Sequence, residues 1–149
     1  MSTETNKEIV RRFFSEAVDG LNAEVLDELF TEDCVCHRPE SAEPTVGIGR
    51  LKRGVRQVLD GYREQRTAIH DLIAEGDRVV CRLSHRAVHR GAWTSRVGRH
   101  EVAGRAVSWT AIDIFRFSDG KIAEQWVCRD ELGMLMQLDA LPSGDSDPS

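Results

Sequence analysis

An α+β fold, with helices packed on one face of an antiparallel sheet, is what this sequence of 149 residues predicts. Three observations carry that expectation. Apolar residues recur at three- and four-residue spacing as far as Gln65, and at every second position after it. Two alternating stretches each surround a turn signal, "EGD" at 75–77 and "SDGK" at 118–121. No internal repeat or linker divides the chain, so one domain is expected over residues 1–140. The polar, Pro- and Gly-containing end, 141–149, is expected to be a disordered tail.

The elements follow in order. Residues 4 to 19 place Ile9, Val10, Phe13, Phe14, Ala17 and Val18 on one helical stripe, with Thr3 or Thr5 as cap and Gly20 as stop. "NAEVLDELF" is a second short helix capped by Asn22, with Val25, Leu26, Leu29 and Phe30 turned inward. "CVCHRP" reads as a short strand closed by Pro39, and "SAEPTVGIGR" as a loop. "RLKRGVRQVLDGYREQ" is a third helix, burying Leu51, Val55, Val58, Leu59 and Tyr62. Two strand pairs then occupy most of the rest, and Asp130 caps a C-terminal helix, "DELGMLMQL".

Composition excludes several functions. No apolar run is long enough to span a bilayer, and "MSTETNKEIVRRFF" lacks a signal-peptide core, so a cytoplasmic location and no membrane partner are expected. A net charge of −5 argues against nucleic-acid binding, although arginines concentrate between residues 50 and 105 without a recognition motif. Cys34, Cys36, Cys81 and Cys128 form no disulfide framework. In "CVCH" the strand period turns Cys34 and Cys36 to one face and Val35 and His37 to the other, and no second ligand pair accompanies them. No metal is expected.

The strand "VSWTAIDIFRF", residues 107–117, carries the functional question. Trp109, Ala111, Asp113, Phe115 and Phe117 share one face, while Ile112 and Ile114 make the other apolar too. A strand apolar on both faces predicts a core on one side and a second copy of the chain on the other. Asp113 sits among these residues, where an unpaired carboxylate costs several kcal/mol to desolvate. One account is an ion pair with an arginine. The other is a carboxylate lining an apolar cavity, its proton affinity raised by burial and usable in acid/base chemistry.

"VSWTAIDIFRFSDGKIAEQWVCRDELGMLMQL" resembles the C-terminal signature of the SnoaL-like polyketide cyclases, and "GDRVV", "AGRAV", "NKEIVRRFF" and "LFTEDCVCH" extend the likeness to about residue 140. The resemblance implies the cone-shaped α+β fold shared with ketosteroid isomerase and nuclear transport factor 2. There, a curved antiparallel sheet and three N-terminal helices enclose one pocket. It also implies a homodimer or higher oligomer joined through the outer sheet face, and chemistry without a cofactor. The founding cyclases carry their acid/base aspartate at the position that is Val127 here. On the resemblance, Asp113 takes over that role with His37 as second catalytic candidate, and Trp109, Ala111, Gln125, Val127, His85, Phe14 and Tyr62 line the substrate site. The function implied is cyclisation or isomerisation of a small apolar carbonyl compound of polyketide type. The alternatives are epoxide opening in the same pocket, or a non-catalytic binding protein for an apolar small molecule.

Overall fold

The computed structural model describes residues 2–141. Its helices are α1 (Thr3–Arg12), α2 (Leu26–Leu29), α3 (Ile48–Asp60) and α4 (Glu131–Gln137). Its strands are β1 (Phe30–His37), β2 (Thr45–Val46), β3 (Tyr62–Glu75), β4 (Arg78–His89), β5 (Trp93–Ser95), β6 (Gly98–His100), β7 (Ala106–Ser118) and β8 (Lys121–Arg129). Six strands make one sheet in the order β2-β1-β8-β7-β4-β3. The expected antiparallel pairs form, but β1 runs parallel to β8, so the sheet is mixed. The expected tail from 142 onward lies outside the described residues.

Local chemistry explains the elements and their departures from expectation. Ser2, rather than Thr3 or Thr5, caps α1, its hydroxyl accepting from the Thr5 amide at 3.0 Å. The helix continues as a wider π-helical stretch, Phe13–Val18, which brings both Phe13 and Phe14 onto the sheet. Asn22 caps a 3₁₀ turn leading into α2, accepting from the Glu24 amide at 3.2 Å. Gly61 ends α3, so Tyr62 opens β3 instead of closing a helix, and Val58 is exposed. The segment after β4 forms a small β5–β6 hairpin that the sequence pattern did not reveal.

Both long hairpins turn where expected. Asp119 and Gly120 adopt φ of +50° and +80°, the left-handed pair a two-residue hairpin turn requires. Near the start of β8 the register shifts: Arg116 opposes Glu124 but Phe117 opposes Ile122. Ala123 is the extra residue of a bulge. The bulge returns Ile122 to the buried face with Gln125 and Val127, rather than to the side of Trp126 and Cys128.

The core fills the space between the sheet's inner face and the N-terminal helices. Phe115, Leu26, Leu29, Leu83, Ile122 and Val79 are fully buried there. A second apolar cluster joins Tyr62, Trp109, Val102, Val107, Met134 and Leu138 beneath α4. Asp130 caps α4 as expected, accepting from the Gly133 amide at 2.9 Å. Asp130→Ala should lower stability by about 1 kcal/mol. Urea denaturation reads this directly, and an unchanged midpoint would remove the cap from the account of α4.

Candidate active site

Alternation along β7 builds the site. Val107, Trp109, Ala111, Asp113, Phe115 and Phe117 are all buried on the inner face, and the residues between them are exposed or half-buried. Register then orders the neighbours into rows. Asp113 lies between Cys81 of β4 and Val127 of β8, Ala111 lies between Leu83 and Arg129, and Trp109 lies beside His85. Successive rows are two residues, about 7 Å, apart. Ala111 and Val127 are the small side chains of this layer, and they make a low floor beside the carboxylate.

Asp113 is 3% exposed and forms no ion pair among the described residues. Gln125 Nε2 donates to its Oδ2 at 3.3 Å, while Oδ1 is buried without any hydrogen-bond partner. Gln125 is held in turn by the Cys36 thiol, 3.8 Å from its Oε1. Burial pushes the Asp113 carboxyl up to about 7, against the opposing effects of the Arg38 charge and the Gln125 hydrogen bond. The same surroundings push the neighbouring Cys81 thiol up to about 12, so it stays protonated. A carboxyl that gains and loses its proton near neutrality, with one oxygen unoccupied, suits general acid–base work.

His85 faces the same interior. Its ring lies 5.1 Å from Trp109 and 5.9 Å from Phe14, centroid to centroid. Its Nδ1 is 2.9 Å from Thr67 Oγ1 and 3.1 Å from Gln65 Nε2, and Thr67 donates its hydroxyl to Asp19 at 2.7 Å. Burial, reinforced by the charges of Arg38 and Arg129, pushes this imidazole down to about 4, so it is neutral at physiological pH. Tyr62 packs 5.4 Å from Trp109, closing the wall. Trp109, Ala111, Gln125, Val127, His85, Phe14 and Tyr62 are thus gathered with Asp113 around one interior surface.

His37 is not. β1 pairs with β8 so that Cys36 lies opposite Gln125 and His37 opposite Trp126. Residues in register share a face, which puts His37 on the outer side of the sheet from Asp113. There it stacks on Trp126 at 5.3 Å with 14° between the planes, and its Nε2 meets Glu124 at 2.6 Å. Its expected part in catalysis with Asp113 is therefore corrected: the sheet separates the two groups. His37, Ile112, Ile114, Trp126 and Cys128 instead line an apolar outer groove of about 580 Å³, to which Arg38, Pro39 and Val127 also contribute. His89, at the end of β4, is buried and packs against Tyr62 at 4.8 Å between ring centroids.

Sequence reasoning missed Arg38, Arg129, Gln65 and Thr67. Strand parity held the signal for two of them. Arg38 follows Cys34 and Cys36 on alternate positions, and Arg129 follows Gln125 and Val127. Among the described residues no group of three or more His, Cys, Asp or Glu side chains is placed to hold a metal ion, and no helix is long and apolar enough to cross a membrane.

A curved sheet covered by the N-terminal helices, with a buried carboxylate on its inner face, places the protein in the cone-shaped α+β class. Residues 8–138 match the SnoaL-like polyketide cyclase family, and the chain belongs to it. Among solved structures, TsrD from Streptomyces laurentii is 25% identical with a TM-score of 0.80, covering 95% of this chain and 99% of that one. IdmH from Streptomyces antibioticus is 25% identical with a TM-score of 0.75, covering 90% and 98%. An LEH-like epoxide hydrolase from M. tuberculosis shares the fold at 16% identity and a TM-score of 0.71, covering 91% and 90%. No curated protein sequence matches the chain significantly.

Proposed function

We propose that this chain is an enzyme that acts on a small, mostly apolar carbonyl compound of polyketide type, using Asp113 as its acid/base and needing no cofactor. The observation that carries the reading is the free, buried Oδ1 of Asp113 beside a floor of Ala111 and Val127. In its ionised form the carboxylate takes a proton from carbon α to the carbonyl, leaving an enolate. After ring closure or rearrangement, the same carboxyl returns the proton. Trp109, Phe14 and Tyr62 supply apolar walls that fold the substrate, and orientation of this kind removes a large part of a cyclisation barrier. Deuterium exchange from solvent into 2-tetralone, followed by NMR, is a direct test. The wild-type protein should accelerate the exchange and Asp113→Asn protein should not; equal rates for the two proteins refute the role.

Val127, at the position where the founding cyclases carry their catalytic aspartate, supports a second reading, a non-catalytic binder of the same compounds. Ligand affinity without any exchange or product by the wild-type protein would favour it.

The outer groove supports a homodimer. Ile112 is half exposed beside Ile114 and Trp126, with Arg78 set 5.3 Å over the Trp126 ring and the Glu124–His37 and Glu124–Arg116 pairs at its rim. A second copy packed here would remove this apolar surface from water. Ile112→Lys should convert a dimer to monomer in sedimentation velocity. A wild-type protein that sediments as a monomer at 100 µM would remove this assembly.

A further inference from the structure

Two guanidinium groups border the Asp113 floor, and neither is used by the proton-transfer scheme. Arg38 follows the last residue of β1 at the rim of the sheet: its backbone end borders the outer groove beside His37, while its charge reaches Cys36, Asp113 and His85 on the inner side. Arg129 pairs with Ala111, one row away. The two share a single carboxylate: Arg38 Nη1 is 3.5 Å and Arg129 Nε is 3.7 Å from Glu40 Oε1. Arg129 Nη2 lies 3.9 Å from Glu131 Oε2, while Arg96 binds the other oxygen of Glu131 at 2.7 Å.

These contacts leave donors over. Distances of 3.5 to 3.9 Å are charge contacts too long for good hydrogen bonds. Arg129 Nε is buried with no hydrogen-bond partner among the described residues, in a side chain only 16% exposed whose guanidinium lies against the Tyr62 hydroxyl. Among the described residues, three guanidinium groups (Arg38, Arg96, Arg129) face two carboxylates (Glu40, Glu131), which leaves one positive charge at the edge of an otherwise apolar interior while Asp113 is protonated. That charge is felt inside: both Arg38 and Arg129 act on His85, and Arg38 acts on Asp113. Trp93 backs the Arg129 guanidinium at 5.9 Å.

We propose that Arg38 and Arg129 form an anion-binding station for the substrate, which therefore carries a carboxylate. The proposal rests on the acid/base reading of Asp113 and names the class of compound that reading acts on: a keto acid, its carboxylate on the arginines and its acidic carbon over the Ala111–Val127 floor. One net charge and planar forked donors match a carboxylate better than a phosphate dianion, which needs more positive charge and more donors. Neutralising Arg38 also removes the charge that favours ionised Asp113. Carboxylate binding is thus accompanied by proton uptake near neutral pH.

The test compares 2-naphthoate with methyl 2-naphthoate by titration calorimetry, in Trp126→Phe protein so that fluorescence reports only Trp93 and Trp109. The acid should bind at least 10-fold more tightly than the ester, quench the remaining fluorescence and take up protons in buffers of different ionisation enthalpy. Arg38→Gln, a change at a side chain 37% exposed, should abolish that preference, the affinity for the acid falling to about that for the ester. Arg129→Gln should do the same where circular dichroism shows it folded. Equal binding of acid and ester, or an unaltered preference in Arg38→Gln protein, overturns the proposal. Binding is read here without turnover, so exchange that persists in Asp113→Asn protein would sink the acid/base reading separately.

Discussion

Asp113→Asn protein is expected to lose roughly 10²- to 10⁴-fold in the rate of proton exchange, the usual worth of a positioned acid–base group. Asparagine keeps the shape and the hydrogen bond to Gln125, so the fold should persist. The same substitution has a second expected consequence that a merely structural residue would not show. Folding pushes the Asp113 carboxyl up to about 7, above its unfolded value of about 4. The group therefore contributes fully to stability only below about pH 4, and that contribution is lost as pH rises through about 7. Above that, the buried carboxylate is a standing penalty of about a few kcal/mol.

His85 acts in the opposite sense and lower down. Its imidazole is pushed down to about 4, so its contribution is complete above the unfolded value of about 6.5 and is lost as pH falls toward 4. Between about pH 4 and 6.5 the two effects oppose each other, and above about pH 7 both are complete. Wild-type stability should therefore change little between about pH 4 and 7, whereas Asp113→Asn stability, left with the His85 effect alone, should rise over that range and exceed the wild type's at about pH 8. Denaturant melts at four pH values measure both curves. Parallel curves would mean that the carboxylate is already stabilised by a partner.

Phe115→Ala is expected to cost about 3 to 5 kcal/mol, the range for emptying a buried aromatic site. Phe115 is fully buried in the central strand β7 and contacts two rings edge-on, Phe13 at 5.9 Å and Phe14 at 6.1 Å. Those rings come from the π-helical stretch, so the strand cannot close onto the space that Ala would leave. A loss of that size takes a large share of a typical domain's 5 to 15 kcal/mol, given as orders of magnitude. The denaturation midpoint should fall with little change in slope. A loss below about 1 kcal/mol would show that the helix collapses onto the sheet. Because Phe14 also borders His85, exchange activity should fall in the folded fraction as well.

Much of this architecture was legible before any coordinates. Period and turn chemistry are local properties, so the EGD and DG hairpins, the Asn22 and Asp130 caps and the two-faced β7 could be read directly. Asp113 was legible as a site for a similar reason: its neighbours announce burial and its own chemistry resists it. Tyr62 shows where local reading failed. Its helical spacing from Leu51 and Leu59 pointed to α3, yet Gly61 ends the helix and long-range pairing of Tyr62 with His89 opens a strand.

The sequence by itself determined the alternation of β1, which sets Cys34 and Cys36 against Val35 and His37. It could not determine which of those faces is the inside. That was decided by β1 lying parallel to β8, a contact between residues 89 to 92 positions apart. The bulge at Ala123 and the convergence of Arg38 and Arg129 on Glu40 are of the same kind. A strand's pattern follows from its own side chains, but its sidedness, and what charge waits across the floor, depend on neighbours that only the folded chain brings together.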